Sequence, residues 1–301
     1  MAKARIIIKR RKAVRNIRKI TKVMQMISTS RYQKAYKRAM GTKPYVRKIG
    51  ELVASAVQAV RSEGKGIEHP LLKDPPETAQ KKTAVLVLTS NRGLAGGYNG
   101  NVLRLANQTL KELEASGDSP EVFISGKKGI AYFRFQKRPM TNSFTNLGDN
   151  PKFVEIEPLA EKAMQLYQEG KITGLKVVYM RFLSAGVQRA GVVDVLPLSG
   201  IAQAEVPKSP GGMVTPVPYD FMPSAEELLE ELIPTVVKIT IFQAFIEATV
   251  SEQIARMVAM KSATDNADKL GKKLTQDYNR ARQSQITSEL SELMGGVEAL
   301  K

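Results

Sequence analysis

The sequence predicts an α/β protein in which the two termini form a long antiparallel two-helix coiled coil, with an α/β domain inserted between them. Three observations support this fold class. Both ends of the 301-residue chain carry apolar residues at helical spacing. The middle of the chain alternates short apolar runs with amphipathic segments, as expected of strands and helices. Stretches rich in Pro and Gly separate these regions.

The N-terminal arm, residues 1–60, is predicted to be one long helix. Its apolar residues recur every three or four positions and predict a single stripe that faces a partner helix: Val14, Ile17, Ile20, Met24 and Ile27. Because a proline disfavours helix in the residue before it, Pro44 in the sequence GTKP predicts a bend in this arm.

The formal net charge of +17 arises entirely in the N-terminal arm. Residues 1–48 contain 17 Lys or Arg and no acidic residue, whereas the remaining 29 basic residues are balanced by 29 acidic ones. Such a basic amphipathic helix is compatible with gripping nucleic acid, lying on a membrane, addressing the chain to an organelle, or packing against another helix. An Arg-rich start without acids also resembles a mitochondrial presequence.

The middle region, about 78–200, is predicted to be a Rossmann-like α/β domain. Residues 81–90 predict a buried strand, which the glycine-rich turn NRGLAGGYNGN follows directly. Further strands are predicted at EVFISG, LKVVYMRFLS and GVVDVLPL, the last two as a hairpin. Helices are predicted at VLRLANQTLKELEAS and VEIEPLAEKAMQLYQEG.

A linker at 201–224, rich in Pro and Gly, precedes the C-terminal arm, residues 225–301. Pro234 predicts that the long helix of this arm begins after it or kinks there. A seam with a period close to 3.5 follows, with Gln253, Thr264 and Gly271 filling its gaps: Ile246, Val250, Met257, Met260, Ala267, Leu274, Tyr278 and Ala281. The predicted partner of this weakly hydrophobic seam is the N-terminal arm.

The residue types that build most catalytic and metal sites are absent or isolated. The chain has no Cys, which excludes disulfides, thiolate metal sites and cysteine catalysis. Its only histidine, His69, lies in a Pro-rich loop and is expected at the surface. The glycine-rich turn lacks both GxxxxGK[S/T] and GxGxxG spacing, so we expect a tight strand-to-helix connection. No catalytic residue, cofactor or metal is predicted, and no apolar run reaches the roughly 20 residues of a membrane-spanning helix.

Both arms and the turn resemble the gamma subunit of rotary ATP synthases. The N-terminal motif is RKAVRNIRKITKVMQMISTSRYQKAYKRAMGTKPY, and the C-terminal one combines RMVAMKSATDNA with YNRARQSQITSEL. The third motif is the turn SNRGLAGGYNGNV. The resemblance covers essentially the whole chain in order, although 130–225 matches more loosely. Because it begins within about ten residues of Met1, we expect no cleaved presequence.

The resemblance implies a central rotor shaft that couples rotation of a membrane c-ring, driven by protons or sodium ions, to ATP synthesis or hydrolysis at beta subunits. It implies alpha, beta and epsilon subunits and the c-ring as partners, with catalysis on beta. It also implies a peripheral position on the cytoplasmic side of a bacterial cell (inner) membrane. The basic arm is expected to meet an acidic lever of beta, and the weak seam is expected to slide inside its sleeve.

The resemblance also implies contact residues, carried over by motif. Met24, with Lys22, is implied to face the beta lever, and Glu252 and Arg256 are implied at the same level of the C-terminal arm. Further contacts to alpha and beta are implied at Arg282, Gln283, Thr287, Leu290 and Leu293. The glycines of the foot-domain turn are Gly93, Gly96 and Gly97. On pattern alone, Met24 is also compatible with coiled-coil core, and Arg256 with a solvated helix position.

Two departures from the family and one alternative function complete the sequence-based expectations. Ala95 stands where many relatives have Cys, and the redox-cysteine insertion of chloroplast relatives is absent, so thiol regulation is not expected. The alternative, drawn from charge alone, is a basic helical nucleic-acid-binding protein. No recognised nucleic-acid-binding motif accompanies the charge, which weakens that alternative.

Overall fold

The computed structural model divides the chain into two compact units. The helix-pair unit comprises Met1–Arg31 and Ala255–Lys301, and the α/β unit comprises Tyr32–Ile254. The structure describes residues 2–62, 69–72, 81–147, 150–198, 221–222 and 224–298. Most of the predicted linker at 201–224 therefore lies outside the described residues.

Two long helices, α1 (Ala2–Ser62) and α5 (Ala225–Glu298), contribute to both units. Both contain a proline, Pro44 and Pro234 respectively, and helical structure continues on either side of each. The expectation that the C-terminal helix begins after Pro234 is therefore wrong. A proline inside a helix costs about 3 kcal/mol, and the burial of several apolar side chains around it offsets that cost: Leu229, Ile233 and Val237.

The α/β unit contains a five-stranded sheet, within the described residues, in the order β3-β2-β1-β4-β5. The strands are β1 (Thr83–Leu88), β2 (Glu121–Ser125), β3 (Asn142–Phe144), β4 (Gly174–Phe182) and β5 (Gln188–Leu196). The helices between them are α2 (Tyr98–Ala115), α3 (Lys127–Phe135) and α4 (Phe153–Gln168). β1 to β4 pair in parallel, and β5 pairs antiparallel with β4.

This architecture confirms the predicted fold class and the predicted hairpin, β4–β5. The short elements α3 and β3 were missed. β3 has only three residues, and α3 is a basic nine-residue helix, so neither carries enough periodic apolar sequence to be recognised.

The central strand β1 is buried along its whole length, as expected of a parallel strand covered on both faces. Ala84, Leu86 and Leu88 belong to one core cluster with residues of α1, α4 and α5. Val85 and Val87 alternate with them and face the opposite side. There, α2 contacts β1, β4 and β5, and α3 contacts β2.

His69 is buried, at 9% exposure, and the expectation of a surface position is wrong. Its Nδ1 accepts a hydrogen bond from the Leu71 N–H at 3.2 Å. Leu71 is fully buried, and its carbonyl accepts from the Leu198 N–H at 3.2 Å. The buried leucine beside it explains why a loop histidine is drawn inward. Burial lowers the pKa of His69, and the charge of Glu230 partly opposes that shift.

An 18-residue stretch within α5 is apolar enough, by length and composition, to cross a bilayer, and 50% of it is buried inside the protein. The buried core of a globular protein produces helices that meet the same criterion, and Val237, Ile241 and Val250 of α5 are fully buried here. The absence of a membrane-spanning segment stays a prediction.

We predict that stability falls on mild acidification because of His69. The unfolded chain has the ordinary histidine pKa of 6.5, and the folded pKa is lower. The unfolded state therefore binds more protons in the interval between them, and stability decreases as the pH falls through it. Urea midpoints at about pH 7.5 and about pH 5.5 measure this loss. His69→Gln is the control, because it retains an acceptor but does not titrate. Equal losses in both proteins would contradict the assignment.

Candidate functional site: the paired helices and the glycine-rich turn

In the helix-pair unit, α1 and α5 run antiparallel. Side-chain contacts between them are the Arg11 guanidinium over the Tyr278 ring at 5.2 Å, the Arg18–Asp268 ion pair, and Thr264 Oγ1 donating to Thr21 Oγ1 at 2.8 Å. As residue numbers rise along α1, those of the partners fall along α5. The predicted antiparallel pairing of the two termini is therefore confirmed.

The α5 side of this interface is the predicted seam. Met260, Thr264, Ala267 and Leu274 are buried, at 4%, 6%, 7% and 9% exposure. Its remaining members in this unit are half-buried: Met257, Gly271, Tyr278 and Ala281. The seam contains small and polar residues, which permit close approach of the two helices but bury little apolar area.

Three of the five residues in the predicted apolar stripe of α1 are exposed, whereas Val14 and Met24 are half-buried. Ile17, Ile20 and Ile27 are exposed by 52%, 59% and 47%. Instead, α1 buries Thr21 and Ser28, at 8% and 1% exposure. Successive residues of a helix are rotated by about 100° around its axis. Because Thr21 lies in the seam, its neighbour Ile20 points outward.

The apolar residues left outside form a continuous face, which we call the outer apolar band: Ile17, Ile20, Val23 and Ile27. Exposed Lys19 lies one turn from Val23 of this band, and exposed Lys22 lies one turn further along from Lys19. Helix α1 is therefore partly inverted relative to an ordinary surface helix: the residues that it buries most in this unit, Thr21 and Ser28, are polar, and the outer apolar band faces outward. A signal for the true seam was present, because Val14, Thr21 and Ser28 repeat every seven residues.

The predicted contact residues near the beta lever occupy different environments. Met24 is half-buried and Lys22 is exposed. Arg256, in the helix-pair unit, is 6% exposed, so the solvated alternative is wrong. Glu252, in the α/β unit, is 9% exposed. Both charged side chains are held largely inside the chain.

The predicted contact residues near the end of α5 are all on its exposed surface: Arg282, Gln283, Thr287, Leu290 and Leu293. The Thr287 hydroxyl donates to the Gln283 carbonyl of its own helix at 3.0 Å. Leu290, Leu293 and Met294 are 53%, 69% and 70% exposed. This end of α5 therefore presents apolar side chains to the outside, as the outer apolar band does on α1.

The glycine-rich turn joins β1 to α2. Residues between the end of β1 and this turn's first residues also accept hydrogen bonds from the first N–H groups of α3. The N–H groups of Lys127, Lys128 and Gly129 donate to Asn91 Oδ1, the Ser90 carbonyl and Thr89 Oγ1, at 3.1, 3.1 and 2.9 Å. Asn99 of α2 reaches back and accepts from the Ser90 N–H at 3.0 Å. The first N–H groups of α3 are thus bound by residues that follow β1. The segment after β1 therefore contacts both α2 and α3, and a tight strand-to-helix connection stays the predicted role of its glycines.

The predicted turn glycines are not equivalent. Gly96 has φ of +55°, which favours glycine, whereas Gly97 has φ of −80°. A Cβ on Gly93 would lie 3.4 Å from Lys128 Cε, an ordinary contact. The most constrained glycine is Gly126, which the sequence did not single out. Its φ is +100°, and a Cβ there would lie 2.1 Å from the Thr89 carbonyl oxygen.

Comparisons with known proteins agree along the whole chain. A family model described as ATP synthase matches residues 3–300. The ATP synthase gamma chain of Rhodopirellula baltica is 44% identical over 301 residues, covering 100% of both chains. That of Nocardioides sp. is 40% identical over 293 residues, covering 96% of this chain and 93% of the relative.

Solved structures show the same fold at lower identity. A chain of the Euglena gracilis mitochondrial ATP synthase (OSCP/F1/c-ring) has a TM-score of 0.66 at 18% identity, covering 99% of this chain and 95% of its own. A chain of the central stalk/c-ring of the Tetrahymena thermophila enzyme has a TM-score of 0.56 at 20% identity, covering 81% and 99%.

Gly126→Ala is expected to destabilise the protein by more than about 3 kcal/mol, since it combines a disfavoured φ with overlap against main chain. Gly117→Ala is the matched control. Gly117 also has positive φ, at +80°, but a Cβ there meets nothing within 4 Å. The control should lose only about 1 kcal/mol. Urea unfolding of both variants measures the difference, and similar losses would contradict the close approach.

The assignment of the seam predicts that a lysine substitution lowers stability much less at an exposed position of α1 than at a buried position of α5. Ile20→Lys is expected to change the free energy of unfolding by less than about 0.5 kcal/mol, because the side chain is exposed. Thr264→Lys is expected to cost about 2 kcal/mol or more, because it buries a charge in the seam. Urea unfolding of the isolated chain compares them. A larger loss for Ile20→Lys would show that the seam is assigned to the wrong face.

Proposed function

Because the chain belongs to the ATP synthase gamma chain family, we propose that it forms the central rotor shaft of a rotary ATP synthase. In this proposal, rotation of a membrane c-ring turns the shaft, and the shaft drives ATP synthesis at beta subunits; hydrolysis at beta drives it in reverse. The observation that carries the proposal is the partly inverted helix α1, whose outer apolar band is exposed.

An exposed apolar face on a helix pair needs a cover. Removing apolar surface from water is worth roughly 25 cal/mol per Å², so the outer apolar band favours association with another protein. The exposed leucines at the end of α5 extend the same argument along the unit. A sleeve of alpha and beta subunits would cover both faces.

We propose that the sleeve meets mainly the outer apolar band of α1. The weakly hydrophobic seam was expected to pack on the N-terminal arm and to slide inside the sleeve, and its residues in the helix-pair unit are buried or half-buried. The outward surface is instead an apolar band beside lysines. Lys19 and Lys22 suit an acidic lever of beta, because attraction between opposite charges steers contact without requiring a permanent fit.

The contact residues and the catalytic role remain part of the proposal. Met24 and Lys22 of α1, with the exposed residues of α5 from Arg282 to Leu293, are proposed to contact alpha and beta subunits. Glu252 and Arg256 offer a partner little surface, because both are buried. We propose that catalysis takes place on beta. Among the described residues, no group of three or more His, Cys, Asp or Glu could hold a metal ion.

The remaining partners and the location follow from the same role. The arms are proposed at 1–60 and 225–301, with the linker at 201–224. The domain at 78–200 is proposed as the foot, which meets the epsilon subunit and the c-ring. The chain is proposed to be peripheral to the cell (inner) membrane, on its cytoplasmic side, where it takes part in hydrogen or sodium ion transport.

The nucleic-acid-binding alternative is not favoured. Its support was the charge of the N-terminal arm, but the exposed face of α1 alternates these charges with isoleucines, which phosphate groups do not recognise. A filter-binding assay on the isolated chain at physiological salt separates the two functions. Tight, stoichiometric retention of DNA with a steep salt dependence would support the alternative.

Met24→Lys is expected to weaken the coupling of ATP hydrolysis to proton pumping more than it weakens assembly, because it places a charge where the shaft meets the lever. Membrane vesicles carrying the whole complex permit both activities to be measured on one preparation. Gln108→Lys, at an exposed position of α2, is the control for an added charge. Proportional losses of hydrolysis and pumping would contradict the coupling role of Met24.

A further inference from the structure

Strand β4 extends beyond the end of its neighbour β1. β1 pairs with β4 only from Gly174 to Val178, whereas β5 pairs with β4 as far as Phe182. The last part of β4 therefore has a strand on one side, and the described residues place no strand on its other side. Main-chain groups on that side need other partners, since an unpaired buried group is costly.

Helix α5 supplies these partners. The Phe182 N–H donates to Glu247 Oε2 at 3.3 Å, and Ser251 Oγ donates to the Met180 carbonyl at 3.1 Å. Glu247 and Ser251 lie four residues apart, on one face of α5. Met180 and Phe182 lie two apart, on one edge of the strand. The helix thus takes the place of a neighbouring strand along the free edge of β4.

The same network reaches α1. Gln243 Nε2 donates to Glu247 Oε1 at 3.2 Å. The Thr42 hydroxyl lies 3.2 Å from Gln243 Oε1 and 3.1 Å from the Ala39 carbonyl, so its one proton is shared between these acceptors. The carboxylate of Glu247 is therefore the centre of a polar network that joins α1, α5 and the main chain of β4.

The surroundings of Glu247 strengthen these bonds. Tyr179, 4% exposed, lies close by, and burial and then the Glu247 charge raise its pKa to about 12, so it stays protonated. Arg181 on the same strand interacts with Tyr179. Its side chain crosses Gly191, where a Cβ would lie 2.5 Å from Arg181 Cδ. A charged hydrogen bond in such a partly dry environment is stronger than one in water.

We propose that Thr42, Gln243, Glu247 and Ser251 form a clamp that carries torque between the sheet and the two long helices. The proposal rests on the proposed rotor function. Gln243 to Ser251 form the last part of α5 inside the α/β unit, which ends at Ile254. Apolar packing is non-directional and resists sliding only weakly, whereas hydrogen bonds to main chain depend on direction. The clamp therefore resists twisting of the helices against the sheet.

The test is the torsional stiffness of the shaft in a surface-fixed complex with alpha and beta subunits. Because the chain has no Cys, Lys111→Cys, on the exposed surface of α2, provides a single attachment point in this chain for a bead. The angular variance of the bead without ATP gives the stiffness. Glu247→Leu combined with Ser251→Ala is expected to lower it about twofold, since both bonds to β4 are lost. Glu121→Gln, which removes the surface pair with Lys82 at 2.6 Å, is the control and should leave it unchanged.

The outcomes separate the clamp from the rotor. A bead that rotates with ATP but keeps its wild-type stiffness in the double variant overturns the clamp and leaves the rotor in place. A wild-type bead that never rotates with ATP overturns the rotor function itself. If the double variant does not assemble, Ser251→Ala and Glu247→Gln decide singly: lowered stiffness supports the clamp, and wild-type stiffness in both overturns it. Glu121→Gln also loses an interaction, its surface ion pair with Lys82, but it keeps both bonds to β4. A stiffness that falls only in the double variant therefore reports the clamp and not a general loss of stability.

Discussion

Two helices that pack against each other can each bury only one narrow stripe of their surface, and the helix-pair unit follows from how that stripe is filled. The seam of α5 offers Thr264, Ala267 and Gly271, which are small, and α1 meets it with Thr21 and Ser28. Small residues permit the backbones to approach closely. Ile17, Ile20 and Ile27 of α1 lie outside this seam and form an exposed apolar surface.

In the α/β unit, side chains satisfy main-chain hydrogen-bonding groups at the places where strands end. Where β1 ends before β4, side chains of α5 form hydrogen bonds with the buried edge of β4 that has no neighbouring strand among the described residues. Where β1 and β2 end, the turn after β1 fills the first N–H groups of α3. In both places the protein satisfies main-chain groups with its own side chains, and it thereby ties separate elements together.

Much of the architecture could be predicted from local patterns. The seam of α5 repeats close to every 3.5 residues over many turns, and a pattern of that length is reliable. Buried strands with apolar runs, such as β1, were equally recognisable. The face of α1 was not, because two patterns coexist on it: an apolar stripe that includes Ile17 and Ile20, and a heptad repeat through Val14, Thr21 and Ser28, of which the last two are polar. Periodicity reports that a helix has faces, but the partner decides which face is buried.

The sequence by itself determined the two long helices, the inserted α/β domain, the confinement of excess charge to the first 48 residues and the motifs that carry the family resemblance. These depend on short-range spacing and composition, which a single chain displays directly. Only the tertiary structure decided which side of α1 faces outward, that His69 is buried, that Gly126 has no room for a side chain, and that Glu247 binds the edge of β4. Each of these depends on a residue distant in sequence, and no local pattern encodes the distance between Gly126 and Thr89 or the place where β1 stops short of β4.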